Sequence, residues 1–96
     1  VSAIRILKFP IPGAREVGLP YVVARWLGVG WQGDELVVWA EALQADEIAT
    51  HLVVAMTGQP APVSRPGMRS EHVGTAMHPT LNSGAPFVAH VYQVWP

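Results

Sequence analysis

YVVARWLGVGWQ, residues 21–32, then Gly33-Asp34, then ELVVWAE, residues 35–41, is the stretch that decides the fold of this chain. Both runs are continuously apolar and rich in Val and Trp, side chains that suit a pleated, half-buried surface. A Gly-Asp pair between two β-prone runs is a hairpin signal. The expectation is two antiparallel strands joined by a tight turn at 33–34. Gly28 and Gly30 stand at i and i+2, on one face of a strand. They mark a bulge, or a place where another backbone or a planar ligand approaches. Trp26 and Trp31 have opposite parity, so without a bulge one of them points away from the face that the other covers.

Working outward, residues 2–9 (SAIRILKF) alternate as a half-buried strand does, and Pro10 and Pro12 are expected to stop it. Residues 13–18 can hold a turn and a short strand. AEALQADEIA, residues 40–49, has high helix propensity, and Asp46 can cap a helix running toward Met56. The preferred reading is a loop over 42–49 followed by a strand over 50–57 (THLVVAMT), with one short helix near 46–56 as the alternative. Residues 58–70 (GQPAPVSRPGMRS) read as a loop. Residues 71–78 and 86–95 read as the last two strands, with a turn over 80–85. The sum is one all-β domain over 1–96, a small antiparallel β-sandwich or barrel of six to seven short strands.

Composition narrows the function classes. The chain has 96 residues, half of them hydrophobic, with nine glycines and nine prolines. That excludes a disordered chain and favours short elements with many turns. Six Lys and Arg against seven Asp and Glu leave a net charge of −1, which argues against a polymeric nucleic-acid partner. No cysteine is present, so disulfides, thiolate metal sites and thiol chemistry are absent. No apolar run is long enough to span a bilayer, and no signal peptide is read at the N-terminus. The cytoplasm and no membrane partner are the expectation. A small chain without staples is held by its core, by oligomerisation or by both, and a homo-oligomer is expected.

Charge is unevenly placed. Asp34, Glu35, Glu41, Asp46 and Glu47 crowd the middle, whereas Arg65 and Arg69 lie in the Pro/Gly loop with Ser64 and Ser70 beside them. Two arginine forks, two hydroxyls and free backbone N–H groups can hold a phosphate; the plainer alternative is two arginines solvating a loop. Trp26, Trp39 and Tyr92 are candidates to stack on a base, although core or subunit interface is the commoner fate of large aromatics. His72 and His90, with Thr75, can hydrogen-bond a ligand or the backbone. The histidines show no HxH or HExxH spacing, so no metal and no cofactor are expected. GxSxG and Walker loops are absent. GVGWQG at 28–33 matches the glycine spacing of a dinucleotide loop, but no helix pattern follows it. The chain is not expected to be an enzyme.

Four phrases then carry a resemblance: Lys8-Phe9 in the opening IRILKFPIP, Thr57-Gly58-Gln59-Pro60, His72-Val73-Gly74-Thr75, and Pro86-Phe87-Val88-Ala89-His90. Together they resemble a family of short bacteriophage proteins in which a TGHP-like turn follows the middle hairpin and the chain closes on a phrase like HVGT…GPFVWHLFE. Gln59 stands where that family often has His, and Ala89 where it often has Trp. Small phage proteins of this kind look similar to nucleotide-signal sponges that counter bacterial immunity. The resemblance implies a homo-oligomer in the cytoplasm of the infected host. It would bind a cyclic oligonucleotide or cyclic ADP-ribose-type second messenger without cleaving it. The rival expectation is a phage structural or protein–protein interaction protein with no small-molecule ligand. A small nucleotide hydrolase is disfavoured by the missing nucleophile and metal patterns.

Overall fold

Strand β3 (Tyr21–Gln32) turns at Gly33-Asp34 into β4 (Glu35–Gln44), with Gln32 facing Glu35 across the two-residue turn. Gly33 has a φ of 61°. Tight hairpin turns need a positive φ at their first central position, which glycine adopts without a Cβ clash. The computed structural model describes residues 3–11, 16–57, 59, 67, 69–82 and 85–95, with the backbone alone at 79–82 and 85–87.

Around this hairpin the chain builds two antiparallel sheets. β1 (Arg5–Ile11) pairs with the other side of β4, giving a three-stranded sheet in the order β1-β4-β3. β2 (Glu16–Leu19), β5 (Thr50–Met56), β6 (Arg69–Asn82) and β7 (Ala85–Trp95) form a four-stranded sheet in the order β2-β5-β7-β6. The fold is therefore all-β and sandwich-like, with seven strands among the described residues. Phe9, Ile11, Leu36, Val38 and Ala40 of one sheet bury their side chains with Leu52, Val54, Ala89 and Val91 of the other. No described segment forms a helix long and apolar enough to cross a membrane.

One local expectation is corrected, and one alternative gives way to the preferred strand. β1 does not stop at Pro10, which stays in register with Val37. β1 is an edge strand, and on its unpaired side a missing N–H costs no ladder bond. The short helix near 46–56 does not form, and Thr50–Met56 is instead paired on both sides, with β2 and β7. Leu52 and Val54 enter the core at period two, which overrides the helix propensity of the residues before them. The polar groups there are also satisfied elsewhere. Ala45 N–H donates to Pro20 O (2.9 Å) and Ala49 N–H to Leu19 O (3.0 Å). The Thr50 hydroxyl donates to Tyr21 O (2.7 Å). These three bonds tie the β4–β5 connection to the corner where β2 of one sheet becomes β3 of the other.

β3 settles the question of the two tryptophans. Its register against β4 shifts between Val23 and Arg25 and again between Trp26 and Gly28. The second shift inserts one residue between Trp26 and Trp31, so the two pair with Ala40 and Leu36 and both pack on the core. The glycine face is occupied from within: a Cβ at Gly30 would stand 3.2 Å from the Trp39 ring. Trp39 lies on the outer face of the three-stranded sheet. The planar group that approaches this glycine is the protein's own indole.

Candidate ligand-binding site

The outer face of the four-stranded sheet collects polar side chains that are far apart in sequence. Along β7, Ala89 and Val91 face the core, so His90 and Tyr92 face outward. Register places Thr75 opposite His90 and His72 opposite Tyr92 on β6. His72 and Thr75 are three apart and would ordinarily project to opposite faces. The register shift between His72 and Gly74 absorbs one residue and returns both to the outer face.

The result is a continuous hydrogen-bonded row across β6, β7 and the end of β5. His72 Nε2 lies 2.9 Å from Thr75 Oγ1. Thr75 Oγ1 lies 3.0 Å from His90 Nδ1, and His90 Nε2 lies 2.9 Å from Thr57 Oγ1. Tyr92 meets the His72 ring edge to face at 5.3 Å. The row carries a chemical constraint. Thr75 has one hydroxyl proton and two imidazole neighbours, so it donates to one and accepts from the other. If Thr75 donates to His72, His90 holds its proton on Nδ1 and accepts from Thr57 at Nε2. If Thr75 donates to His90, every bond in the row reverses. Such a row can meet a donor or an acceptor on a ligand by reversing direction, without moving a heavy atom.

Five of the ten residues expected from sequence share this face: Ser70, His72, Thr75, His90 and Tyr92. Ser70 lies opposite Val94, and its hydroxyl is buried with no hydrogen-bond partner. Arg69 is on the same strand but lays its guanidinium over the Trp95 ring, 4.7 Å from the centroid. Ser64 and Arg65 lie outside the described residues. Trp26 does not join the row. It packs on the core and donates from Nε1 to Gln93 Oε1 (3.0 Å). Trp39 does not join it either, because it belongs to the opposite side of the sandwich.

The signal in the sequence that places Thr57 in the row is its alternation with Val53 and Ala55 along one strand. Gln93 and Trp95 carry no such signal, and the β6–β7 register supplies their neighbours. His78 has a structural task. Its Nε2–H donates to Gly33 O at 3.0 Å, and its ring meets Trp31 edge to face at 5.3 Å. It thereby pins the β3–β4 turn onto β6. Gln59 closes a turn of its own: its Oε1 accepts from Met56 N–H, and its N–H donates to Met56 O, both at 2.9 Å. Among the described residues, no three His, Asp or Glu side chains converge as a metal site.

No curated protein and no solved structure matches the chain. A family model does match, over residues 3–96, and the chain belongs to that family, described as Domain of unknown function (DUF7352).

Proposed function

We propose that this protein is a phage-encoded binding protein that sequesters a cyclic nucleotide second messenger, of the cyclic oligonucleotide or cyclic ADP-ribose type, without cleaving it. It acts as a homo-oligomer in the cytoplasm of the infected host and so blunts host defence. The observation that carries the reading is the row His72–Thr75–His90–Thr57, with Tyr92 beside it. The row offers reversible donors and acceptors for ribose and phosphate oxygens, and the ring offers a face for a base. The likeness of the HVGT and PFVAH phrases to short phage proteins supports it. The test is to incubate the protein with a panel of cyclic dinucleotides, cyclic trinucleotides and cyclic ADP-ribose isomers, then denature it with heat and analyse what is released. Intact messenger recovered from the protein is the expected result. Consumed messenger would make it an enzyme, and no capture across the panel would overturn the reading.

A second reading, a protein–protein interaction role, draws on the outer face of the three-stranded sheet. There Ile6 is 72 % exposed and Val22 51 % exposed, and among the described residues β1 leaves one edge unpaired. Arg25 donates to Glu41 (2.6 Å) within that face. An adjacent plus and minus are self-complementary about a two-fold axis, so the partner that fits is a second copy of this chain. Sedimentation velocity of the wild type and Ile6→Lys tests it. A dimer that the lysine disrupts is expected, and a wild-type monomer would overturn it.

A further inference from the structure

On the Glu71 side of the register shift in β6, a cleft of about 610 Å³ opens between β3, the start of β5, β6 and β7. Trp26, Glu71, Gln93 and Trp95 line it. Its size falls within the range of small-molecule sites.

The chemistry of one wall is unusually defined. An indole N–H can only donate, so the 3.0 Å bond from Trp26 Nε1 turns Gln93 with its oxygen toward Trp26 and its NH2 away. Among the described residues, that NH2 has no acceptor. Glu71 stands directly opposite Gln93 in the β6–β7 register, and cross-strand neighbours have Cβ atoms about 5 Å apart. Its carboxylate likewise has no donor among the described residues. One wall therefore presents amide N–H donors beside a carboxylate acceptor. Trp26 and Trp95 add two indole surfaces, the second steadied by Arg69 over its ring.

Donors beside an acceptor complement a lactam edge, a ring carbonyl next to ring N–H. Guanine carries that edge: O6 accepts, while N1–H and the N2 amine donate. Adenine puts an amine where guanine has O6, and would set its donor against the Gln93 NH2. The geometry points to this cleft as a base-reading site for guanine: Gln93 donates to O6, Glu71 accepts from N1–H and N2–H, and the indoles cover the ring. This rests on the nucleotide-binding reading and narrows it to a guanine-containing cyclic oligonucleotide, because a cyclic ADP-ribose-type messenger carries adenine. His72 lines the cleft and also begins the row on the outer face, so a base in the cleft leaves its ribose and phosphate beside that row.

The experiment uses the full chain with guanosine 5′-monophosphate and adenosine 5′-monophosphate, followed through the indole N–H signals in ¹H–¹⁵N spectra. Guanosine monophosphate is expected to shift Trp26 and Trp95, to leave Trp39 unmoved, and to bind at least ~10-fold more tightly than adenosine monophosphate, a difference of about 1.4 kcal/mol. Gln93→Glu keeps an oxygen for Trp26 and removes the NH2, so it should lose guanosine monophosphate while the Trp26 indole signal stays hydrogen-bonded. Glu71→Gln, a surface change with no volume cost, should weaken binding at least ~10-fold on the same scale. Equal affinity for the two nucleotides, or an unmoved Trp26 and Trp95, would overturn the proposal. The two readings fail separately. A messenger captured without base preference sinks the cleft alone. Guanosine monophosphate in the cleft with no messenger captured sinks the sequestration reading alone.

Discussion

Gly74 of β6 lies so close to Val29 of β3 that a Cβ at position 74 would stand 2.7 Å from Val29 Cγ2. This approach closes one side of the sandwich, since β3 and β6 are edge strands of different sheets. Gly74→Ala should destabilise the fold by about 1–3 kcal/mol, the range for forcing extra volume into a packed site. Val29→Ala, which clears the space, should recover much of that in the double mutant. Urea unfolding of the four proteins measures the coupling, and simple additivity would show that the seam does not depend on this contact.

The Trp26–Gln93 bond crosses between the sheets and gives a second test. Gln93→Leu leaves the half-buried indole N–H without its acceptor, a loss of about 1–3 kcal/mol. Adding Trp26→Phe removes the orphaned donor, so the double mutant should be closer to wild type than the sum of the single changes. Denaturant midpoints at unchanged slope give the comparison.

Thr75→Val is nearly isosteric and removes the hydroxyl that His72 and His90 share. In the wild type, the protonated nitrogens of the two rings are linked through that hydroxyl. Long-range ¹H–¹⁵N spectra of the imidazoles should show the two tautomer populations changing together on titration with messenger. In Thr75→Val they should become independent, and messenger affinity should fall at least ~10-fold. Unchanged ring signals and affinity would remove the row from the site.

Gly33→Ala tests the hairpin. A Cβ in left-handed backbone costs about 1–2 kcal/mol, and Asn, which tolerates that region better, should cost less. Both can be read from thermal midpoints. Equal behaviour of the two variants would mean that the turn changes type to accept them.

Much of the fold was legible because it depends on local signals. The Gly33-Asp34 turn needs only a glycine between two β-prone runs, and the strands read at 50–57, 71–78 and 86–95 announce themselves through branched and aromatic residues, although β6 runs on to Asn82, into the turn expected over 80–85. Pro10 misled because a proline stops only a strand that needs its N–H, and whether β1 lay at an edge was not written in its own residues. The helix propensity before Ile48 does not prevail, as the loop-and-strand reading expects, and the Pro20 and Leu19 carbonyls, more than twenty residues away, take the N–H groups of Ala45 and Ala49.

The candidate site was legible in kind and not in arrangement. His72, Thr75 and His90 were expected as hydrogen-bonding groups from their chemistry. That they form one row with Thr57 depends on β7 lying between β5 and β6 and on one register shift after His72. Trp26 and Trp39 show the converse. As aromatics in β-prone runs they are equivalent, yet one turns into the core toward Gln93 and the other lies on Gly30 at the opposite surface.

By itself, then, the sequence determined the class of structure and the supply of chemistry: antiparallel strands, a tight Gly33-Asp34 turn, no thiols, and imidazole, hydroxyl and indole groups in number. Only the tertiary structure decided which of them meet. The side-chain direction of a strand alternates with period two, so each single-residue bulge, in β3 at two places and in β6 after His72, exchanges inside for outside along everything that follows. No residue near the bulge records that exchange. It is set by the partner strand, where Ala40 and Leu36 receive Trp26 and Trp31, and where Tyr92 and His90 receive His72 and Thr75.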